Sequence, residues 1–291
     1  MAQREEIVRI PIYIIDAFSI GPFTGNPAAV CPLEAWLPDE VLQNLAFQNN
    51  LSETAFYVQD RRGEVTLRWF TPMREVDLCG HATLAAARVL FDFGGWKQDR
   101  VIFETKSGPL RVFRDGKDFS MDFPAFVAVP CPAPAALRRA FGLEIQSCFC
   151  GMDYLVVLNN EEQVAALKPD LSPLCDIELR GVIVTARGRK SDFVSRYFAP
   201  KYGIDEDPAT GSAHCILAPY WAGILGRSTL TGRQLSPRGG LLRCRMAGER
   251  VILSGRTNLY LTGMIDLAEY RFEAEQSLQT LGVGIPTGWS R

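Results

Sequence analysis

The sequence predicts a chain of mixed α and β structure folded as two similar lobes, and three observations carry that reading. The pentapeptide Arg68-Trp69-Phe70-Thr71-Pro72 recurs as Arg196-Tyr197-Phe198-Ala199-Pro200. A short acidic loop follows each copy, and Gly80-His81-Ala82 and Gly211-Ser212-Ala213 then open two apolar helices. Each of these glycines stands 28 residues before another glycine, Gly108 or Gly239, in the similar stretches Ser107-Gly108-Pro109-Leu110-Arg111 and Arg238-Gly239-Gly240-Leu241-Leu242-Arg243. A matching pentapeptide can arise by chance. A strand signature, a Gly-led helix and a downstream turn in one order at equal spacing indicate an internal repeat. The Pro-rich stretch 124–134, PAFVAVPCPAP, is the most linker-like part of the chain. The lobes are therefore assigned to residues 1–124 and 125–291, with the chain end returning to pack on the first lobe.

The elements follow in order. Residues 10–16 are apolar and β-rich. Pro38-Asp39-Glu40 opens a helix that turns Val41, Leu42, Leu45 and Ala46 inward, and Asn49-Asn50 closes it. Residues 64–71 alternate Val65, Leu67 and Trp69 on one face, the period of a half-buried strand. HATLAAARVLF, 81–91, has almost no polar face and predicts a helix buried all round. Residues 101–105 and 110–114 read as a hairpin around Ser107-Gly108-Pro109, and Asp115-Gly116 turns the chain into 118–122. Cys148 and Cys150 share one face of a strand, while 154–158 and 182–186 are continuous apolar runs expected as buried strands. Residues 213–225 predict a second buried helix, with Pro219 kinking it or breaking it early.

Composition narrows the functional classes. Of 291 residues, 47% are apolar and 22% charged, ordinary for a globular chain long enough to bury a substantial core. The formal charge is −2, and the densest basic points, Arg61-Arg62 and 238–245, read as turns or solvated faces and not as a nucleic-acid footprint. The N-terminus lacks a signal peptide's apolar core, and no run reaches the length of a membrane span. Eight scattered cysteines without a CxxC, and only two histidines, His81 and His214, predict reduced thiols in a cytoplasmic protein with no structural zinc site.

The paired helix starts are the candidate site. The first amides of a helix have no intrahelical acceptor and the dipole is positive there, so a glycine admits a carboxylate or an enolate-like oxyanion close to the backbone. Two such starts facing each other would cradle a small anion. Either motif alone reads as a small-residue cap; the repetition, with Cys79 and His81 beside one and Asp207 beside the other, favours a site. Glu53, between Leu51 and Phe56 where a helix gives way to a strand, is expected to be partly desolvated, with its pKa raised toward the range useful for proton transfer. From the residues alone, Glu53 also reads as a turn or capping glutamate, and Asn26 as a turn residue.

Taken together, Asp16-Ala17-Phe18, Gly25-Asn26-Pro27-Ala28-Ala29-Val30, Asn50-Leu51-Ser52-Glu53-Thr54-Ala55-Phe56, Val76-Asp77-Leu78-Cys79-Gly80-His81-Ala82-Thr83-Leu84 and Glu206-Asp207-Pro208-Ala209-Thr210-Gly211-Ser212-Ala213 resemble the PhzF family, the phenazine-biosynthesis-like isomerases. The resemblance covers most of the chain up to about residue 269. It implies an α+β fold of two pseudo-symmetric, diaminopimelate epimerase-like lobes, each a β-barrel-like sheet around a central helix, with the active site in the cleft between them. It further implies acid/base proton transfer at carbon on a small carboxylate-bearing metabolite, without cofactor or metal, in a homodimer. By position, Glu53 corresponds to the catalytic acid/base and His81 and Asp207 to its supporting polar groups. Gly80, Gly211 and Ser212 correspond to contacts for the substrate carboxylate, and Asn26 is counted with them.

Epimerases of this fold use two opposed cysteines, one at each helix start. Here Cys79 stands at the first start, but the opposite position carries Asp207, which argues against a two-thiol racemase and makes Cys79 a small buried neighbour. Two alternatives stand beside the isomerase: a Cα epimerase that uses Cys79 and Asp207 on opposite faces, and a relative without turnover that binds a metabolite or a protein.

Overall fold

The computed structural model describes residues 9–267. The first part of the chain supplies β1 (Arg9–Ala17), β2 (Asn26–Leu33), α1 (Asp39–Asn49), β3 (Glu53–Gln59), β4 (Val65–Phe70), β5 (Glu75–Val76), α2 (Gly80–Asp92), β6 (Arg100–Glu104), β7 (Leu110–Asp115) and β8 (Asp118–Pro124). Next come β9 (Val129–Pro130), α3 (Ala135–Phe141), β10 (Ser147–Cys150), β11 (Tyr154–Val157), α4 (Glu161–Ala166), β12 (Val182–Arg187) and β13 (Phe193–Phe198). The last are α5 (Gly211–Leu225), β14 (Thr229–Gln234), β15 (Gly240–Ala247) and β16 (Arg250–Asp266).

Strand pairing runs β1-β2-β3-β4-β6-β7-β8-β16, and β16 pairs back onto β1, so these strands close into a ring around α2. From β16 the sheet continues through β15, β14, β13, β12, β11 and β10 to β9 and packs on α5. The long strand β16 serves both lobes. Its start pairs with β8 and β15, and residues 257–266 pair with β1 across a bulge at Ile14/Ile15. The chain end, which the sequence reading returns to the first lobe, lies beyond residue 267 and outside the described residues. Among the described residues no helix is long and apolar enough to cross a membrane.

Both central helices are buried because their sequences leave almost no polar face: Ala82, Leu84, Ala85, Ala86, Ala87, Val89 and Leu90 of α2, and Leu217 and Ala218 of α5, are fully buried. Of the two outcomes expected at Pro219, a kink or an early break, the break does not occur: the helix runs on to Leu225. Proline removes the amide that would bond the carbonyl four residues back, that of Cys215. That carbonyl accepts the Phe126 amide at 2.9 Å, so the stretch between the lobes supplies the missing donor. The stretch read as a linker also forms β9, which pairs with β10.

The repeat has a physical meaning. Arg68 donates two hydrogen bonds to Glu75 at 2.7 and 2.9 Å, and its guanidinium lies 5.1 Å from the Phe70 ring centroid. Arg196 does the same with Glu206, at 2.7 and 2.8 Å, over the Phe198 ring at 5.0 Å. In each lobe the arginine pins the acidic loop leading to the helix start. The downstream glycines, Gly108 and Gly239, both adopt positive φ, 91° and 69°, which L side chains rarely tolerate.

Candidate active site

Local structure places each candidate. Gly25 holds φ 85°, and a Cβ there would lie 2.4 Å from the Ala17 carbonyl oxygen, so only glycine allows the turn that sets Asn26 at the head of β2. Asn50 closes α1 in the left-handed conformation, its amide bonded to the Ala46 carbonyl, and the chain re-enters the sheet at Glu53, the first residue of β3, beside Ala28. Cys79 and Thr210 are the N-caps of α2 and α5, both extended; the Thr210 side chain accepts no hydrogen bond from the first amides of α5, and at α2 the Ala82 amide faces the Cys79 thiol. The remaining first-turn amides are left to a ligand or solvent.

The structure brings Glu53, His81, Asn26, Cys79 and Asp207 together. His81 Nε2 lies 3.2 Å from Glu53 Oε2, and Cys79 Sγ lies 3.5 Å from His81 Nδ1. The Asn26 amide nitrogen donates to Asp207 Oδ1 at 2.8 Å and to the Ala209 carbonyl at 3.1 Å. With both hydrogens committed, its 3.3 Å approach to His81 Nδ1 is a packing contact. Asn26 thus joins the two lobes through the site. The Thr210 hydroxyl donates to Asp207 Oδ2. Gly80 and Ser212 are partly exposed, whereas Gly211 is buried.

Burial sets the protonation states. Glu53 is pushed up to about 8, first by desolvation and then by the Asp207 charge, against a hydrogen bond from Cys79. Desolvation lowers His81, the Asp207 charge opposing it. At neutral pH the carboxyl and the imidazole are therefore both mostly neutral. Their approach is poorly aligned, and both atoms are buried without a hydrogen-bond partner among the described residues. Such atoms are costly in a resting protein and suit a site that completes its bonding with substrate. The Cys79 thiol stands well above its usual value through desolvation and the nearby Glu53 charge. Glu53, Cys79 and His81 offer an oxygen, a sulfur and a nitrogen within 4.8 Å of one another, a spacing that could hold a divalent ion. Binding one would require displacing the protons that burial holds on the carboxyl and the thiol.

Three supporting residues escaped the sequence reading. Arg180 donates to both Asp153 carboxylate oxygens, at 2.9 and 2.5 Å, and to Ser212 Oγ at 3.0 Å. The Ser212 hydroxyl is thus held by protein at the start of α5. Gln234, fully buried, accepts the Thr210 amide at 2.9 Å and donates to the Asp207 carbonyl at 2.6 Å. The Ser52 hydroxyl lies 3.3 Å from Asn26 Oδ1. Nothing in the stretches around Arg180 and Gln234 distinguishes them, because their partners lie 24 to 32 residues away along the chain. His214 stands apart: it is fully buried, donates from Nδ1 to the Thr210 carbonyl at 2.8 Å and braces the cap. A hollow of about 250 Å³ lined by Ser19, Ile20, Leu241, Arg243, Gly255 and Arg256 contains none of the candidate residues.

Comparison with known proteins identifies the family and the fold. The sequence model of a family described as phenazine biosynthesis-like protein matches residues 15–263. An uncharacterised isomerase from Pseudomonas aeruginosa is 51% identical over 89% of this chain and 100% of its own length. A crystal structure of a phenazine biosynthesis protein of the PhzF family from Enterococcus faecalis superposes with a TM-score of 0.86 at 47% identity, covering 89% of this chain and 99% of the other. A more distant likeness, a hydroxyproline epimerase from Agrobacterium vitis, has a TM-score of 0.57 at 11% identity over 92% of this chain and 94% of the other, and shows the epimerase-like fold alone.

Proposed function

The chain belongs to the phenazine biosynthesis-like family and is an isomerase by that membership, and from this premise we propose that it moves a proton between carbons of a small carboxylate-bearing metabolite, with Glu53 as the proton carrier. The observation that carries the reading is the buried Glu53 Oε2, unsatisfied beside His81 Nε2 and raised to a pKa of about 8. An acid/base group works best with a pKa near the working pH; at pH 7 roughly a tenth of such a carboxyl is ionised and ready to accept a proton. The substrate carboxylate lies against the open amides at the starts of α2 and α5, which offset its charge and the charge that develops as the carbon proton leaves. Glu53 takes that proton and returns it to another carbon of the allylic system, while His81 and Asp207 orient the substrate.

Deuterium exchange tests the reading. Incubation in heavy water with small carboxylates bearing a C–H next to a double bond should place deuterium in product or recovered substrate. Saturable binding without exchange would instead mark a binding relative without turnover.

Two variants separate the roles. Cys79→Ser is expected to keep exchange within about tenfold of wild type, since a thiol held protonated is a poor base. A collapse would move the chemistry to the thiol and favour epimerisation by Cys79 and Asp207. Asp207→Asn removes the charge that helps hold Glu53 protonated, so the acidic limb of the pH–rate profile should shift toward lower pH. The folded state should also lose roughly 1–3 kcal/mol of stability, as the Asn26 and Thr210 hydrogens lose a charged acceptor. An unmoved limb would show that Glu53 does not sense Asp207.

A further inference from the structure

Three of the cysteines cluster away from the candidate site. Extending the β9–β10 register, in which Pro130 faces Phe149 and Val129 faces Cys150, places Cys131 opposite Cys148. The Cys131 amide donates to the Cys148 carbonyl at 3.0 Å, and the two sulfurs are 3.8 Å apart. Cys150, two residues along on the same strand, also reaches the Cys131 thiol. Cys148 is buried, while Cys131 and Cys150 are partly exposed. Hydrogen-bonded partners in an antiparallel pair hold their Cα atoms about 5.5 Å apart, inside the range a disulfide spans.

We propose that Cys131, Cys148 and Cys150 form a thiol–disulfide exchange site, in which Cys131 is the entry thiol and Cys148 its resolving partner. The co-reactant is a low-molecular-weight disulfide. The Cys131 thiolate attacks it, forming a mixed disulfide and releasing one small thiolate. The Cys148 thiolate then attacks the Cys131 sulfur and expels the second. Two cysteine thiols are oxidised, one small disulfide is reduced to two thiols, and the two cysteine protons pass to the released thiolates. Burial and the neighbouring sulfurs hold Cys148 up at about 12, and burial with Cys150 raises Cys131 against a hydrogen bond with Cys148 that lowers it. Thiols this weakly acidic react slowly but are poor leaving groups, so the disulfide, once formed, persists. It would fasten the crossover between the lobes to the sheet of the second.

The test is exposure of the native protein to glutathione disulfide, acid quenching, alkylation and mass spectrometry. Arg138 and Arg139 lie between the partners, so trypsin separates Cys131 from Cys148 and Cys150. We expect loss of two hydrogens, two fewer alkylated thiols and a Cys131–Cys148 cross-linked peptide. The Cys150→Ser variant should retain that cross-link, and Cys131→Ser and Cys131→Ala should both lack it. Wild type with all eight thiols still alkylated, or carrying only a stable glutathione adduct on Cys131, would overturn the proposal. So would a Cys131→Ser variant that loses the same two thiols as wild type.

Discussion

Replacing Glu53 with glutamine should lower proton exchange by about 10²–10⁴-fold while making the protein more stable, by an amount that grows with pH. The loss follows because an amide cannot carry the proton. The gain follows from linkage. Glu53 ionises near 8 in the folded chain against an ordinary value of 4.5, so between these values the folded state binds more protons than the unfolded one. Stability from this group is therefore full below about 4.5, falls as pH rises, and reaches its greatest deficit above about 8. At roughly 1.4 kcal/mol per pH unit, the deficit is on the order of 3 kcal/mol at pH 7 and 5 kcal/mol above pH 8. Glutamine has no charge to desolvate and keeps the shape, so most of that deficit should vanish. Thermal unfolding of both proteins from pH 5 to 9 reads it directly, as a melting-temperature gap that widens up to about pH 8 and then levels off. A variant less stable than wild type at pH 8 would mean that Glu53 is ionised and structurally paired in the fold, and the acid/base assignment would fail with it.

What the sequence disclosed, and what it did not, divides along the distance between interacting residues. The repeat was readable because strand, acidic loop and helix start are contiguous and recur in order. The burial of α2 was readable because its alanines and leucines leave no polar face. Glu53 was harder: local physics allowed a turn glutamate, and its desolvation is produced by the sheet that closes around it. Asn26 looked like a turn residue, yet its amide reaches Asp207 across 181 positions of sequence. Arg180 and Gln234 carried no signal because their roles exist only once β12 and β14 lie beside the start of α5. The early break offered as one outcome at Pro219 does not occur for the same reason. A proline breaks a helix when the carbonyl it frees has no other donor, and here Phe126 supplies one.

The repeat also predicts where the fold is most vulnerable, and the two lobes should differ. Arg196 is nearly buried. Besides its paired bonds to Glu206 it donates to the Val164 and Leu167 carbonyls, at 3.3 and 2.5 Å. Arg196→Ala strands a mostly buried carboxylate and two carbonyls, a loss of about 3–5 kcal/mol, which is a large part of the 5–15 kcal/mol that typically holds a protein folded. Arg68→Ala should cost clearly less, because Glu75 keeps Lys106 as a partner at 2.5 Å and Asp39, at 76% side-chain exposure, returns to water. Urea unfolding of the two variants measures the difference, and an Arg68→Ala loss equal to or larger than that of Arg196→Ala would contradict it. The consequence reaches the site through one peptide bond. Glu206 precedes Asp207, whose own amide donates to the Tyr197 carbonyl at 3.1 Å, so the arginine that holds Glu206 also fixes where the Asp207 charge stands relative to Glu53. Folded Arg196→Ala protein should therefore show the same direction of change as Asp207→Asn, an acidic limb of the pH–rate profile displaced to lower pH. Arg68→Ala should not displace that limb to lower pH, because the loop it pins leads to Cys79, whose hydrogen bond lowers Glu53, so that loosening it acts in the opposite direction.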